Sequence, residues 1–283
     1  MTDLVVAALV LGSVYGLLGA AVAVTAIATR TLHLAVGEVL VAGVLLEVLV
    51  GVDVVTSIPT PLAVLAALAV GAALSALLEP LVLRWLPGGA PVLVGIALVA
   101  GVLDALTVRV VGARTYRPTA FLDLPDVAGV PGSVVSALVF GGLGAAVLGI
   151  ALARTRWGRR VRLAGSDPEA ARYFGITPAR TRAAALAVTG AAAVLAGLLV
   201  TPVTFVGAGQ GAGFTIRGVA AALVLGRVGP FRAIAAGLGL GLAEAVALSL
   251  WPGIGSSAFV GLVVIAVLVL RGSEEERAWG RAW

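Results

Sequence analysis

Residues 154–182 read RTRWGRRVRLAGSDPEAARYFGITPARTR and stand between two long apolar runs. Eight arginines against two acids make this stretch too charged to lie in hydrocarbon. In a membrane protein, a short arginine-rich loop belongs on the cytoplasmic side. The stretch also carries helix punctuation. Asp167 suits an N-cap, Pro168 the first helical position, and Gly175 the stop. Thr177 and Pro178 repeat the start signal at once. The expected element is a rigid, basic, cytoplasmic helix of roughly two turns, joined directly to the next span.

Working outward, the whole chain has the composition of a bilayer protein. Of its 283 residues, 60% are hydrophobic and 12% charged, whereas soluble domains are about 45–50% apolar and about 25% charged. Mean hydropathy is +1.13. No polar stretch is long enough to build a separate soluble core, so residues 1–283 read as one transmembrane domain. Its appendages are the loop 154–182 and a charged, cytoplasmic tail at 271–283. The net charge of +5 comes from arginine alone, because lysine is absent. That basicity reads as topology and lipid-surface contact, not as a nucleic-acid footprint. With no cysteine and one histidine, neither disulfides nor a metal or haem centre are expected. The first apolar run lacks a preceding basic region and a clear cleavage site, and reads as a retained span.

A crossing needs roughly 20 apolar residues. Runs of that kind occupy 4–29, 32–52 (interrupted at Gly37 and Glu38), 61–83, 91–111, 134–153, 179–201, 233–250 and 258–270. The loop 112–133 carries balanced charge and is expected outside, one span away from the basic loop. Residues 216–225, after the glycine-rich link 207–213, are too short to cross and read as a broken or re-entrant helix. The expectation is an all-α integral membrane protein with about eight transmembrane helices, one broken segment and one short cytoplasmic coupling helix. Glycines at helical spacing, such as Gly197, Gly237 and Gly241, are expected to let helices approach closely.

Ionisable groups inside apolar runs face the bundle interior or a water-filled path. Glu38, Glu47, Asp104 and Glu244 are such groups. Each either lines a polar passage or is paired or protonated to hold helices together; Arg217 and Arg227 are the available partners. Glu47 and Asp53 can also sit at the end of the second span. Asp104 and Glu244 each follow a glycine by three residues, an echo with the look of an internal repeat that an alanine-, valine- and leucine-rich chain also produces by chance. His33 is either structural or path-lining. No serine or cysteine nucleophile motif and no zinc-binding H-E-x-x-H occurs, and a P-loop ATPase requires the lysine this chain lacks. Enzyme chemistry is therefore not expected. Tyr173 and Phe174 either pack on the membrane base or insert into a groove on a partner. The arginines around them either anchor to anionic lipid or dock a protein.

Three segments resemble the permease subunits of branched-chain amino acid ABC importers. Gly12-Ser13-Val14-Tyr15, followed by His33-Leu34-Ala35-Val36-Gly37-Glu38, is similar to that family's G-S-x-Y and N-F-A-H-G-E at the same spacing. Arg156-Trp157-Gly158-Arg159, Asp167-Pro168-Glu169-Ala170-Ala171 and Phe174-Gly175-Ile176 resemble its cytoplasmic loop. Arg217, Ala221-Ala222, Gly226, Gly229 and Gly241-Leu242-Ala243-Glu244 resemble its glycine-rich C-terminal segment, where lysine usually stands at the Arg217 position. Two departures stand out: His33 and Val36 replace the family's Asn and His, and the glycine-proline turn becomes Gly229-Pro230-Phe231-Arg232.

The resemblance implies a subunit of the inner or plasma membrane of a bacterium or archaeon. It would pair with a second permease, bind two ATPase subunits, and receive its cargo from an extracytoplasmic solute-binding protein. ATP would be bound by the partners, and this chain would carry no cofactor. The translocation path would draw on His33, Gly37, Glu38, Asp104, Arg217 and Glu244. Coupling to the ATPases would use Arg156, Gly158, Arg159, Asp167, Pro168, Glu169, Tyr173, Phe174 and Gly175. Cargo would be branched-chain or related amino acids, with urea, short amides or another small polar solute as the alternative. A reading from a different class is a stand-alone ion-coupled transporter that titrates Glu38 or Glu244.

Overall fold

In hydrocarbon, backbone N–H and C=O groups must be satisfied within the protein, which restricts an uncovered segment to helix. The computed structural model describes residues 2–49, 60–86, 88–112, 114–116, 124–127, 130–200, 204–225, 228–250, 259–263 and 265–266, and it is dominated by helices. In order they are α1 (Thr2–Thr29), α2 (Val36–Val48), α3 (Thr60–Ala76), α4 (Ala90–Val111), α5 (Gly132–Arg154), α6 (Arg156–Ser166), α7 (Pro168–Tyr173), α8 (Pro178–Val200), α9 (Gly211–Leu223) and α10 (Pro230–Leu250). A π-helical turn, Glu79–Leu83, extends α3, giving a continuous span from Thr60 to Leu83. Pro80 cannot donate to the ladder there, and the turn closes with Arg84 N–H on Glu79 O at 2.9 Å. Two short strands, β1 (Thr115–Tyr116) and β2 (Val206–Gly207), pair antiparallel at the end of the bundle opposite α6 and α7.

Among the described residues, six helices are long and apolar enough to cross: Val6–Thr29, Thr60–Leu83, Ala90–Val111, Gly132–Arg154, Pro178–Val200 and Pro230–Ala247. At the second run, α2 holds 13 residues, about 20 Å; residues 30–35 before it are not helical, and residues 50–52 lie outside the described residues. The interruption therefore lies at 30–35, and Gly37 and Glu38 form the first turn of α2. Of the eighth run, 258–270, residues 259–263 and 265–266 are helical, and the rest lie outside the described residues. The short helix expected near 216–225 exists but begins earlier, as the 13-residue α9. The basic loop holds two helices, α6 and α7, where one was expected.

The core gathers around α1. Its apolar window is 78% buried, whereas that of α4 is 11% buried and presents Val94, Leu98, Val102 and Leu106 outward. Helices α5, α8, α9 and α10 pack around α1, while α3 lies beyond α8. The α1–α10 contact is backbone against backbone. A Cβ on Gly237 would overlap Gly16 N, and one on Gly241 would overlap Gly12 N. This is the close approach that small residues permit where lipid gives helices no hydrophobic reason to associate. The echo between Asp104 and Glu244 does not extend to structure: Gly101 meets open space, and Gly241 sits at this crossing.

On the same helix, a Cβ added at Gly239 would meet nothing within 4 Å. Gly237→Leu is expected to lower the melting temperature of the detergent-purified protein by an overpacking cost of about 1–3 kcal/mol or more. Gly239→Leu should leave it unchanged. Equal melting of the two variants would remove this crossing from the centre of the fold.

Candidate translocation path and coupling surface

Two short helices meet by their N-termini inside the bundle. The chain leaves α1 through Arg30, whose φ of 57° is left-handed for a non-glycine residue. Residues 30–35 then carry it to the start of α2. His33 on this segment is fully buried, with Nε2 3.0 Å from Ser75 Oγ of α3. Thr215 of α9 stitches the junction: its Oγ1 donates to Leu34 O at 3.2 Å and accepts from Gly37 N–H at 3.0 Å. Glycine is required on both sides. A Cβ on Gly37 would overlap Gly211 O, and one on Gly211 would overlap the Glu38 carboxyl group.

That overlap locates Glu38, which lies over the first turn of α9 and accepts from the Ala212 backbone N–H. Its residue is 6% exposed, and Oε2 has no hydrogen-bond partner among the described residues. Asp104 of α4 approaches from the β-strand end and accepts from Gly209 N–H at 3.0 Å. It is half-buried and close enough for its charge to act on Glu38. The structure thus brings His33, Gly37, Glu38 and Asp104 to the start of α2 and α9.

Arg217 and Glu244 form a separate unit. Arg217 Nη2 lies 2.8 Å from Glu244 Oε1, and Nε lies 3.4 Å from Oε2. The guanidinium carbon sits 5.7 Å from the centre of the Tyr15 ring. The group ties α9 to α10 and α1, and both charged residues are buried. Of the alternatives for Glu244, this geometry is the arginine-paired one. Arg227, Asp53 and Gly226 lie outside the described residues. Glu47 is buried near the end of α2. Ser75 and Thr215 carried no sequence signal, since a lone hydroxyl in an apolar run has no local pattern. Tyr15 entered only through the likeness of its motif.

At the opposite end from the strands, the basic loop is a stiff elbow. Thr155 caps α6 by accepting from Gly158 N–H at 3.1 Å. Asp167 caps α7, with Oδ1 accepting from Glu169 N–H at 3.0 Å and Ala170 N–H at 2.9 Å. The helix ends as anticipated at Gly175, whose φ is 69°. Ile176 N–H reaches Ala171 O and Gly175 N–H reaches Arg172 O, both at 2.9 Å, the pairing of a Schellman stop. The following span begins at Pro178.

The elbow is fastened to the bundle. Arg30 donates to Ser166 O, and Arg162 donates to Leu152 O at the end of α5. A Cβ on Gly165 would overlap Ile27 O of α1, and one on Gly158 would overlap Leu152 O. Gly158 is therefore a packing position. Arg156, Arg159, Asp167, Pro168, Glu169 and Gly175 are exposed, Tyr173 is 91% exposed, and Phe174 is 75% exposed. The aromatic pair therefore does not pack against the described residues of this subunit.

A family model described as branched-chain amino acid transport system / permease component matches residues 4–268. No curated protein and no solved structure matches the chain. The match takes in all six apolar spans, both short helices and the elbow. The chain belongs to this family of ABC-type branched-chain amino acid transport permeases, and is a multi-pass membrane transport component, not an enzyme.

Proposed function

We propose that this chain forms the translocation path for branched-chain or related small amino acids in an ATP-binding-cassette importer of a bacterial or archaeal cell membrane. Two ATPase subunits act on the elbow, a second permease completes the path, and an extracytoplasmic binding protein delivers cargo. The observation that carries this reading is the elbow itself. It is capped at Thr155 and Asp167 and bonded to α1 through Arg30, and it presents two exposed aromatic side chains to a partner.

Mechanically, an ATPase groove receives Tyr173 and Phe174 and moves α7 when the ATPases close. Because α6 is fixed to the inner ends of α1 and α5, the displacement passes into those helices as a rigid push. The inner end of α1 continues directly into residues 30–35, which hold His33 and lead to Glu38. A shift there alters how the two short helices meet, and the bundle changes between two discrete packings facing opposite sides. The path lies at the start of α2 and α9. The Arg217–Glu244 pair holds α9 against α10 and α1 while the junction rearranges.

Replacing both Asp167 and Pro168 with Gly removes a cap worth about 1 kcal/mol and loosens α7 without touching the spans. The variant is expected to insert normally, while binding-protein-stimulated ATP hydrolysis by the assembled complex falls by about fivefold or more. Unchanged stimulation contradicts the coupling role. Uptake by the isolated chain, driven by a proton or sodium gradient, would favour the stand-alone transporter instead.

Breaking a buried ion pair leaves one charge unpaired and costs about 3–5 kcal/mol, more than replacing both partners with apolar groups. Arg217→Met and Glu244→Leu singly are expected to lower the detergent melting temperature strongly. The double variant is expected to melt closer to the parent than either single. Additive losses would mean that the two residues act independently.

A further inference from the structure

Two of the chain's buried acids are balanced by arginine. Glu244 has Arg217 at 2.8 Å, and Glu79 has Arg182 at 3.7 Å. Among the described residues no ion pair reaches Glu38, Glu47 or Asp104. Glu38 and Glu47 are both more than nine-tenths buried, but of these three acids Glu38 alone has a buried oxygen, Oε2, without a hydrogen-bond partner among the described residues. A buried carboxyl oxygen left unsatisfied is costly, and a cation or a strong donor is what relieves it. The carboxyl group also faces the first turn of α9 and accepts from its Ala212 N–H. An acid is thus held inside the bundle with one oxygen satisfied and the other not.

Asp104 adds a second acid on the side of the β-strands. Its place is seven residues before the end of α4, about 10 Å along the axis. Asp104 is half-buried where Glu38 is buried, and it accepts from Gly209 N–H beside β2, whereas Glu38 lies over the first turn of α9. No group of three or more metal-ligating side chains exists among the described residues, so a metal ion has no cage there. A protonated amine needs fewer donors, because one or two carboxylate oxygens satisfy it. A neutral amide such as urea can donate N–H bonds to a carboxylate but brings it no positive charge, so its bonds are the weaker.

We propose that Glu38 receives the ammonium group of the amino acid cargo inside the path, with Asp104 as the first contact on the way in. This rests on the reading of the chain as an amino acid permease and sharpens it: the pair of acids favours a cargo that carries an ammonium group over a neutral amide. Gly211 and Gly37 keep the Glu38 carboxyl group beside the helix start, and Thr215 fixes the register.

The test uses the complete complex in proteoliposomes, with permeases, ATPases and binding protein, and radiolabelled leucine and urea as probes. The parent complex is expected to take up leucine and not urea. Glu38→Gln is expected to reduce leucine uptake by about tenfold or more, while binding-protein-stimulated ATP hydrolysis stays within about twofold of the parent. Leucine uptake by Glu38→Gln within about twofold of the parent overturns the ammonium site alone and leaves the permease assignment standing. Glu38→Gln keeps an oxygen to accept from Ala212 N–H, so loss of stimulation together with uptake also overturns it, because the charge of Glu38 would then serve the coupling movement and not the cargo. Urea uptake without leucine uptake by the parent overturns both the cargo reading and the site. Should Glu38→Gln fail to assemble, Asp104→Asn decides: about threefold lower leucine uptake with stimulation intact supports the site, and unchanged uptake overturns it.

Discussion

The structure depends on how two helix starts are accommodated inside a bilayer protein. A helix that begins within hydrocarbon leaves backbone N–H groups without partners, and such a start survives only where protein surrounds it. Here α2 and α9 meet these needs for each other. Thr215 accepts from Gly37 N–H, Glu38 accepts from Ala212 N–H, and the two glycines let the backbones come close enough for both bonds. A side chain at either glycine would separate the helices and orphan these groups. The same arrangement leaves polar atoms in the middle of an apolar bundle, which a permeation path requires.

The remaining architecture positions this junction and leads to it. The central helix α1 packs against α10 through glycine-to-backbone contacts and ends at Arg30, where the elbow is bonded. From that residue the chain passes directly to His33 and the start of α2. In the proposed cycle the elbow and the junction are therefore joined by one short stretch of covalent chain, with α1 as the lever between them. The apolar side chains of α4 that face outward are ordinary for a helix in contact with lipid, and they leave α4 free to carry Asp104 at the edge of the path.

Much of this was legible in the sequence, for identifiable reasons. Capping chemistry is local, so Asp167, Pro168 and Gly175 announced α7 and its end correctly, as did Pro178 for the next span. Long apolar runs announced the crossings for the same reason. The second run misled because composition records hydrophobicity but not helicity: Leu32, Leu34 and Ala35 prolong the apolar run toward α1, whereas residues 30–35 are not helical and are held by tertiary contacts from Thr215 and Ser75. Helix α6 was hidden because its arginines read as a loop, although Thr155 had the right chemistry for a cap. The pairing of Arg217 with Glu244 joins positions 27 residues apart on different helices, a relation that neither spacing nor composition encodes. Glu38 and Asp104 were visible as intramembrane acids, but the unsatisfied oxygen that sets Glu38 apart emerges only from the packing.

Energy delivered to the elbow by a cytoplasmic partner is the central claim, and a single thiol tests it most directly. The chain has no cysteine, so Tyr173→Cys introduces one reactive group at the elbow's most exposed aromatic position. Labelling with a membrane-impermeant maleimide is expected in inside-out vesicles stripped of the ATPase subunits, to be absent in intact cells, and to be blocked when the ATPases are restored. Labelling from the outside of intact cells, or labelling indifferent to the ATPases, would contradict a cytoplasmic drive through α7.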